Sequence, residues 1–212
     1  MNLVAYALLS ALSCHPVGGQ DLVGLWESVA SSRGGIGNNI EFRKDGSYVA
    51  AVTVLVDLNY EVKEGKLFTG KNNGEPVSFV EGEAITIGDT ALVVKGENGG
   101  KEVRDRVTPG AGTAIVGVYK YRHYTGGIAF ERFTPDGILN FRLPMSSISG
   151  CYSIDDNEIS VAAQGQETEI VHYTLRAGNL LLGAEDKMST FNRVKEGAWY
   201  ESEVIDYKTP GE

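Results

Sequence analysis

Three observations place this chain of 212 residues in the all-β class, as two consecutive antiparallel up-and-down barrels of about eight strands each. The chain writes one pattern twice. V-G-L-W-E (23–27), I-E-F-R-K-D-G-S-Y (40–48), N-Y-E-V-K-E-G-K-L (59–67) and D-R-V (105–107) return as V-G-V-Y-K (116–120), F-E-R-F-T-P-D-G-I-L (130–139), C-Y-S-I-D-D-N-E-I (151–159) and N-R-V (192–194). The offsets are 93 for Gly24 and Gly117, 91 for Gly46 and Gly137, 92 for Tyr60 and Tyr152, and 87 for Arg106 and Arg193. Near-constant spacing of this kind marks a duplicated unit. No window shows helical period with capping signals, whereas short apolar and β-branched runs alternate with Gly, Asn and Asp turns. Twenty-seven glycines against six prolines suit such a turn-rich chain.

The pattern divides the chain into a leader and linker (1–20), repeat one (21–108), repeat two (114–194) and a tail (195–212). The apolar run 3–12 has the length of a secretory h-region and is too short to span a bilayer, although no charged residue precedes it. A-L-S-C (11–14) is similar to the lipobox of bacterial lipoproteins, with Ala11 where leucine is preferred. Export to the periplasm or the envelope is therefore expected, with lipidation of Cys14 as the means of any membrane contact. A Cys14–Cys151 bridge is the alternative, without support from the spacing. The net charge of −9 disfavours nucleic acid and anionic membrane surfaces as partners.

In repeat one the expected strands cover 23–30, 40–44, 48–56, 59–62, 66–69, 77–80, 84–87, 91–95 and 102–107. Asp45-Gly46 reads as a two-residue hairpin with positive φ at both positions. The run Y-V-A-A-V-T-V-L-V (48–56) reads as a central strand. The glycine-bearing loop 31–39 lacks the Lys-Ser/Thr of a phosphate loop and leads into a strand. After the linker T-P-G-A-G-T (108–113), repeat two places strands at 114–124, 127–133, 138–143, 149–154, 158–163, 167–175, 179–182 and 189–194. The tail carries Trp199, Tyr200 and Tyr207 and is expected to pack back on a barrel. One larger barrel or sandwich merging both repeats is the alternative architecture, disfavoured because each repeat ends on its own Arg-Val.

G-L-W (24–26) on the first strand and Arg106 near the last resemble the signature pair of the lipocalin, or calycin, group. F-R-K-D-G-S-Y and N-Y-E-V-K-E-G-K-L resemble the short lipocalin-like domains of exported bacterial proteins. The resemblance covers 22–107 and 114–194. It implies that the tryptophan closes one barrel end with the arginine stacked across it, Trp26 with Arg106 and, in altered form, Tyr119 with Arg193. It also implies a cavity for a small apolar or amphipathic molecule.

Catalytic and metal chemistry find little support in the residue pattern. His123, His172, Cys151 and Glu131 lack a recognisable zinc spacing, and Asp155–Glu158 reads as a turn rather than a calcium loop. Glu131 with Glu158 or Glu169 is not brought together as a carboxylate pair by any feature of the sequence. The expectation is therefore no catalytic residue, no metal and no cofactor. The ligand is expected in repeat two, on Tyr121, His123, Glu131, Phe141, Arg142 and Tyr173, with repeat one as the drier half because its long strand is alanine and valine. Structural or protein-interaction roles, and less readily a barrel enzyme, remain the alternatives.

Overall fold

The computed structural model describes residues 14–15, 21–71, 82–95, 100–107, 114–163, 165–184, 186–194 and 199–201. Among them are fourteen strands and no helix: β1 (Gly24–Ser28), β2 (Ile36–Phe42), β3 (Ser47–Lys63), β4 (Lys66–Lys71), β5 (Glu83–Ile87), β6 (Ala91–Lys95), β7 (Lys101–Arg106), β8 (Gly117–Arg122), β9 (Ile128–Phe133), β10 (Ile138–Asp155), β11 (Glu158–Ala163), β12 (Glu169–Arg176), β13 (Asn179–Ala184) and β14 (Lys187–Arg193). The expected strand at 77–80, the linker 108–113, the apolar run 3–12 and Tyr207 lie outside the described residues.

Every strand pairs antiparallel with its neighbour in sequence, and β14 returns to β1, so the sheet closes into a ring of fourteen. One further pairing, β3 with β10, crosses the ring. It divides the ring into two circuits of eight strands that share β3 and β10: β1-β2-β3-β10-β11-β12-β13-β14, the β1 circuit, and β3 to β10 in order, the β6 circuit.

The shared strands are long because each joins two expected strands. In β3 no glycine or proline interrupts the run from Ser47 to Lys63, and its 17 residues stay extended. Residues 48–54 pair with β2, whereas 58–63 pair with β4. The 18-residue β10 mirrors this, with 139–142 against β9 and 150–155 against β11. Its one irregularity, between Pro144 and Ser146 opposite Thr53 and Val52, falls where proline has no N–H to give to the ladder.

Each repeat is thereby divided between the circuits, and the expected end plugs are exchanged. Repeat one does not close on itself. Its last strand β7 pairs with β8, Arg106 opposite Tyr119, and β14 pairs with β1, Arg193 opposite Trp26. The Arg193 guanidinium lies over the Trp26 ring at 4.6 Å from its centroid, and Arg106 over Tyr119 at 5.1 Å. The expected pairs Trp26–Arg106 and Tyr119–Arg193 are therefore corrected. The physical reason is that β3 and β10 run straight from one circuit into the other instead of folding back within their own repeat.

Both plugs are otherwise built alike. Trp26 Nε1 donates to the Leu22 carbonyl at 2.8 Å and Tyr119 Oη to the Ile115 carbonyl at 3.0 Å, four residues back in each case. Arg193 donates to the Asp21 carbonyl, and Arg106 to the Ala114 carbonyl. Behind the first plug Phe42, Tyr48, Tyr152, Ile159, Leu180 and Phe191 form the core of the β1 circuit. Behind the second, Leu67, Leu92, Val94, Phe133 and Leu139 fill the β6 circuit. A third cluster joins the outer faces: Leu25, which points away from Trp26 by the two-residue period, packs with Phe130 of β9 and with Tyr200 and Trp199 of the tail.

The hairpins refine one expectation. Asp45 has no positive φ; the β2–β3 turn puts only Gly46 there, at 82°, and the β9–β10 turn repeats this at Gly137, also 82°. Gly46 N–H donates to the Arg43 carbonyl, so this is a type I turn followed by a left-handed glycine rather than a two-residue turn. A Cβ at Gly46 would lie 2.0 Å from the His15 carbonyl, so the glycine also lets the N-terminal segment seat on the turn. That segment is fastened next door by a Cys14–Cys151 disulfide.

Candidate ligand cavity and its charged counterpart

The period of two along a strand decides which side chains share a lumen. In the β1 circuit, Ile40 opposes Ala50, Asn38 opposes Val52, Ala50 opposes Ile148 and Val52 opposes Ser146, so these residues share the inner face. Alanine and valine leave space there. A cavity of about 340 Å³ lies over Asn38, Ile40, Ala50, Val52, Ser146 and Ile148. A second, of about 170 Å³, shares Ile40, Ala50 and Ile148 with it and continues over Val161, Val171 and Leu182. The Trp26 plug and the β2–β3 turn stand at one end of this lumen; the smaller cavity reaches down to Phe42 and Tyr48 beside that turn, and the larger lies farther from it. Lumen-facing Val52 and Ile148 remain 37% and 48% exposed, so apolar wall reaches solvent at the open end. Gln166, Glu167 and Glu169 border the smaller cavity on the β11–β12 connection and the start of β12.

The β6 circuit has a different interior. Tyr119 and Tyr121 of β8, Glu131 of β9 and Phe141 of β10 share its inner face by register. Glu102 and Arg104 of β7 join them, opposite Val94 and Leu92. Arg104 Nη1 donates to Glu131 Oε2 at 2.5 Å, its Nε donates to Glu102 Oε1 at 2.8 Å, and its guanidinium lies 4.8 Å from the Tyr121 ring centroid. Tyr121 Oη donates to the other Glu131 oxygen at 3.3 Å. Burial pushes the Glu131 carboxyl up, and Arg104 and Tyr121 pull against that. Burial also pushes the Tyr121 phenol well above its ordinary range. Both carboxylate oxygens are engaged, so the network binds its own members and presents no idle base.

The structure distributes the six expected ligand residues over four places. Tyr121, Glu131 and Phe141 face the β6 lumen, and His123 sits beyond the end of β8, with its Nδ1 2.9 Å from Thr125 Oγ1 and its ring 4.1 Å from that of Tyr124. Tyr173 packs in the β1 circuit instead. Arg142 faces neither lumen. As the strand neighbour of Phe141 it must point the other way, and it lies between the circuits. Its Nε and Nη2 meet the two Glu27 oxygens at 2.8 and 3.0 Å, and its Nη1 meets Asp57 Oδ1 at 2.9 Å. Burial opposes this charge, but Glu27 and Asp57 more than offset it and hold the guanidinium above its ordinary value. Tyr200 Oη adds a bond to Glu27 at 2.9 Å. A single cavity built from all six is thus not formed, because repeat two serves both circuits.

The expectation of a dry repeat one is likewise corrected: Ile40, Ala50 and Val52, all of repeat one, line the room in the β1 circuit. The small residues that suggested tight packing are what leave the space. The one legible signal was that run of short side chains facing a lumen eight strands around. Cys14 carries a disulfide to Cys151, and a sulfur so bonded offers no thiol for a lipid thioether. Among the described residues no group of three or more His, Cys, Asp or Glu could hold a metal ion. No family model matches the chain, and neither a curated protein nor a solved structure matches it.

Proposed function

We propose that the two circuits are lipocalin-like barrels, exchanged through β3 and β10, and that the protein binds a small apolar or amphipathic molecule in the lumen of the β1 circuit without transforming it. The observation that carries this reading is the pair of adjoining cavities walled by Ile40, Ala50, Val52, Ile148, Val161 and Leu182 and open at one end. The larger has a volume in the range of small-molecule sites. Leaving Val52 and Ile148 uncovered forgoes apolar burial worth about 25 cal/mol per Å², which an apolar guest would recover. The β6 circuit supports the fold: its polar interior is closed on itself.

The Cys14–Cys151 disulfide fits an exported protein, since such bonds persist in oxidising compartments. In this reading the N-terminal segment is held by that bond rather than by a lipid. The test is a fluorescence titration with N-phenylnaphthylamine, which brightens in apolar surroundings. Saturable binding that is lost in Ala50→Phe, with folding intact by circular dichroism, supports the assignment. Binding that survives Ala50→Phe, or is absent in the parent protein, overturns it.

A further inference from the structure

We propose that the ligand of the β1 circuit is a cationic amphiphile, an aliphatic or aromatic body carrying a protonated amine, which seats its charge on Glu167 and Glu169. The inference rests on the binding reading above and adds the sign of the headgroup. The charged residues lining the two cavities are both carboxylates, Glu167 and Glu169, and no lysine or arginine lines either. Glu169 stands opposite Val161 at the start of β12, two residues before Val171, so by the two-residue period it lies on the lumen side of the strand. Arg33 of the β1–β2 connection and Lys187 at the start of β14 lie outside both linings.

The remaining wall is apolar except for Asn38, Asn39, Tyr48, Ser146, Ser147 and Gln166, all of them neutral. Asn39 is occupied by Thr53, whose Oγ1 donates to its Oδ1 at 2.7 Å. A carboxylate-headed guest would therefore place like charge beside Glu167 and Glu169, which stand exposed at the rim of the apolar lumen. An ammonium there would gain attraction over that same distance. The overall charge of −9 adds a weaker, longer-range bias of the same sign on approach.

The experiment compares three twelve-carbon probes below their aggregation limits on the full chain by calorimetry: dodecanol, dodecylammonium and dodecanoate. The expected result is dodecylammonium bound roughly tenfold or more tighter than dodecanol, dodecanoate weakest, and a preference that shrinks with added salt. In Glu167→Gln/Glu169→Gln the advantage of dodecylammonium over dodecanol should fall to less than about threefold. Equal affinity for dodecanol and dodecylammonium, or a preference for dodecanoate, overturns the inference and leaves apolar binding standing. A preference that persists unchanged in the double variant overturns the assignment to these two residues. Failure of all three probes to bind overturns the underlying binding reading instead.

Discussion

The β1 and β6 circuits are built from the same repeated pattern, share two strands and carry matched aromatic–arginine plugs, yet their interiors differ in kind. Where β3 serves the β1 circuit it offers Ala50 and Val52 to the lumen; where it serves the β6 circuit it offers Leu58 and Tyr60. The first lumen keeps room and apolar walls. The second spends its space on an arginine, a buried glutamate and tyrosines that satisfy one another. One repeated pattern thus yields two interiors: one circuit is filled, and the other leaves part of its core unfilled.

The largest effect expected is in the charged interior. Glu131→Gln leaves Arg104, only 8% exposed, without its principal counter-charge, and breaking such a pair costs about 3–5 kcal/mol. Urea unfolding should show that loss. Replacing both members, Glu131→Leu with Arg104→Met, should recover most of it, because an apolar pair no longer leaves a charge stranded. If Glu131→Gln is neutral, the β6 circuit is not held by its ion pair and the contrast between the lumens loses its energetic meaning.

The disulfide belongs to the β1 circuit alone. It ties a segment 137 residues away in sequence to β10, beside the β2–β3 turn. Cys151→Ser should cost about 2–4 kcal/mol, by freeing the unfolded chain of a long closed loop and by releasing His15 from Gly46. Mass spectrometry of the protein isolated from its native cells checks the premise directly. A mass two hydrogen atoms below that of the reduced, unmodified chain supports the disulfide, and an added acyl mass on Cys14 refutes it.

A matched pair of insertions sharpens the comparison of space. Ala129→Phe in the β6 circuit, at a position 0% exposed opposite Tyr121, should cost about 1–3 kcal/mol by overpacking. Ala50→Phe in the β1 circuit enters existing room, buries apolar area and should leave stability nearly unchanged while blocking the cavity. Equal destabilisation by the two would mean that the β1 lumen is as full as the β6 lumen.

Much of the local structure was readable from residue types: the hairpins at Gly46 and Gly137, the repeat, and most strand positions. The exchange was not. Trp26 can meet Arg106 or Arg193 with the same chemistry, and the choice depends on whether β3 bends near Asp57 or runs on to Lys63. No local propensity decides that, because both outcomes use the same strands and turns. The opposed facing of Phe141 and Arg142 was legible in principle, since strand neighbours point to opposite faces. Arg104 was hidden because K-E-V-R-D-R (101–106) carries charge on both faces, which erases the in–out signal. The Cys14–Cys151 bond had no local signature at all, being a contact of tertiary structure.

The smallest effect expected is one in which the circuits should not differ. Asp45 accepts from Ser47 N–H at 2.9 Å and from Ser47 Oγ at 2.6 Å, which holds its carboxyl below the usual range. Asp136, in the matching turn, is lowered first by its bond with the Thr134 side chain. A carboxyl whose folded pKa is depressed contributes stability that is present above its unfolded value of roughly 3.9 and lost as pH falls through the folded one. Asp45→Asn and Asp136→Asn should therefore each be slightly less stable than the parent at pH 7, with the gap closing as pH falls below about 4. Both aspartates are solvent-exposed turn residues, so the closing of the gap should be alike for the two, measured by urea unfolding from pH 7 to pH 2.5. A gap that closes in one variant and not in the other would mean that the two turns, and not only the two lumens, have diverged since the repeat arose.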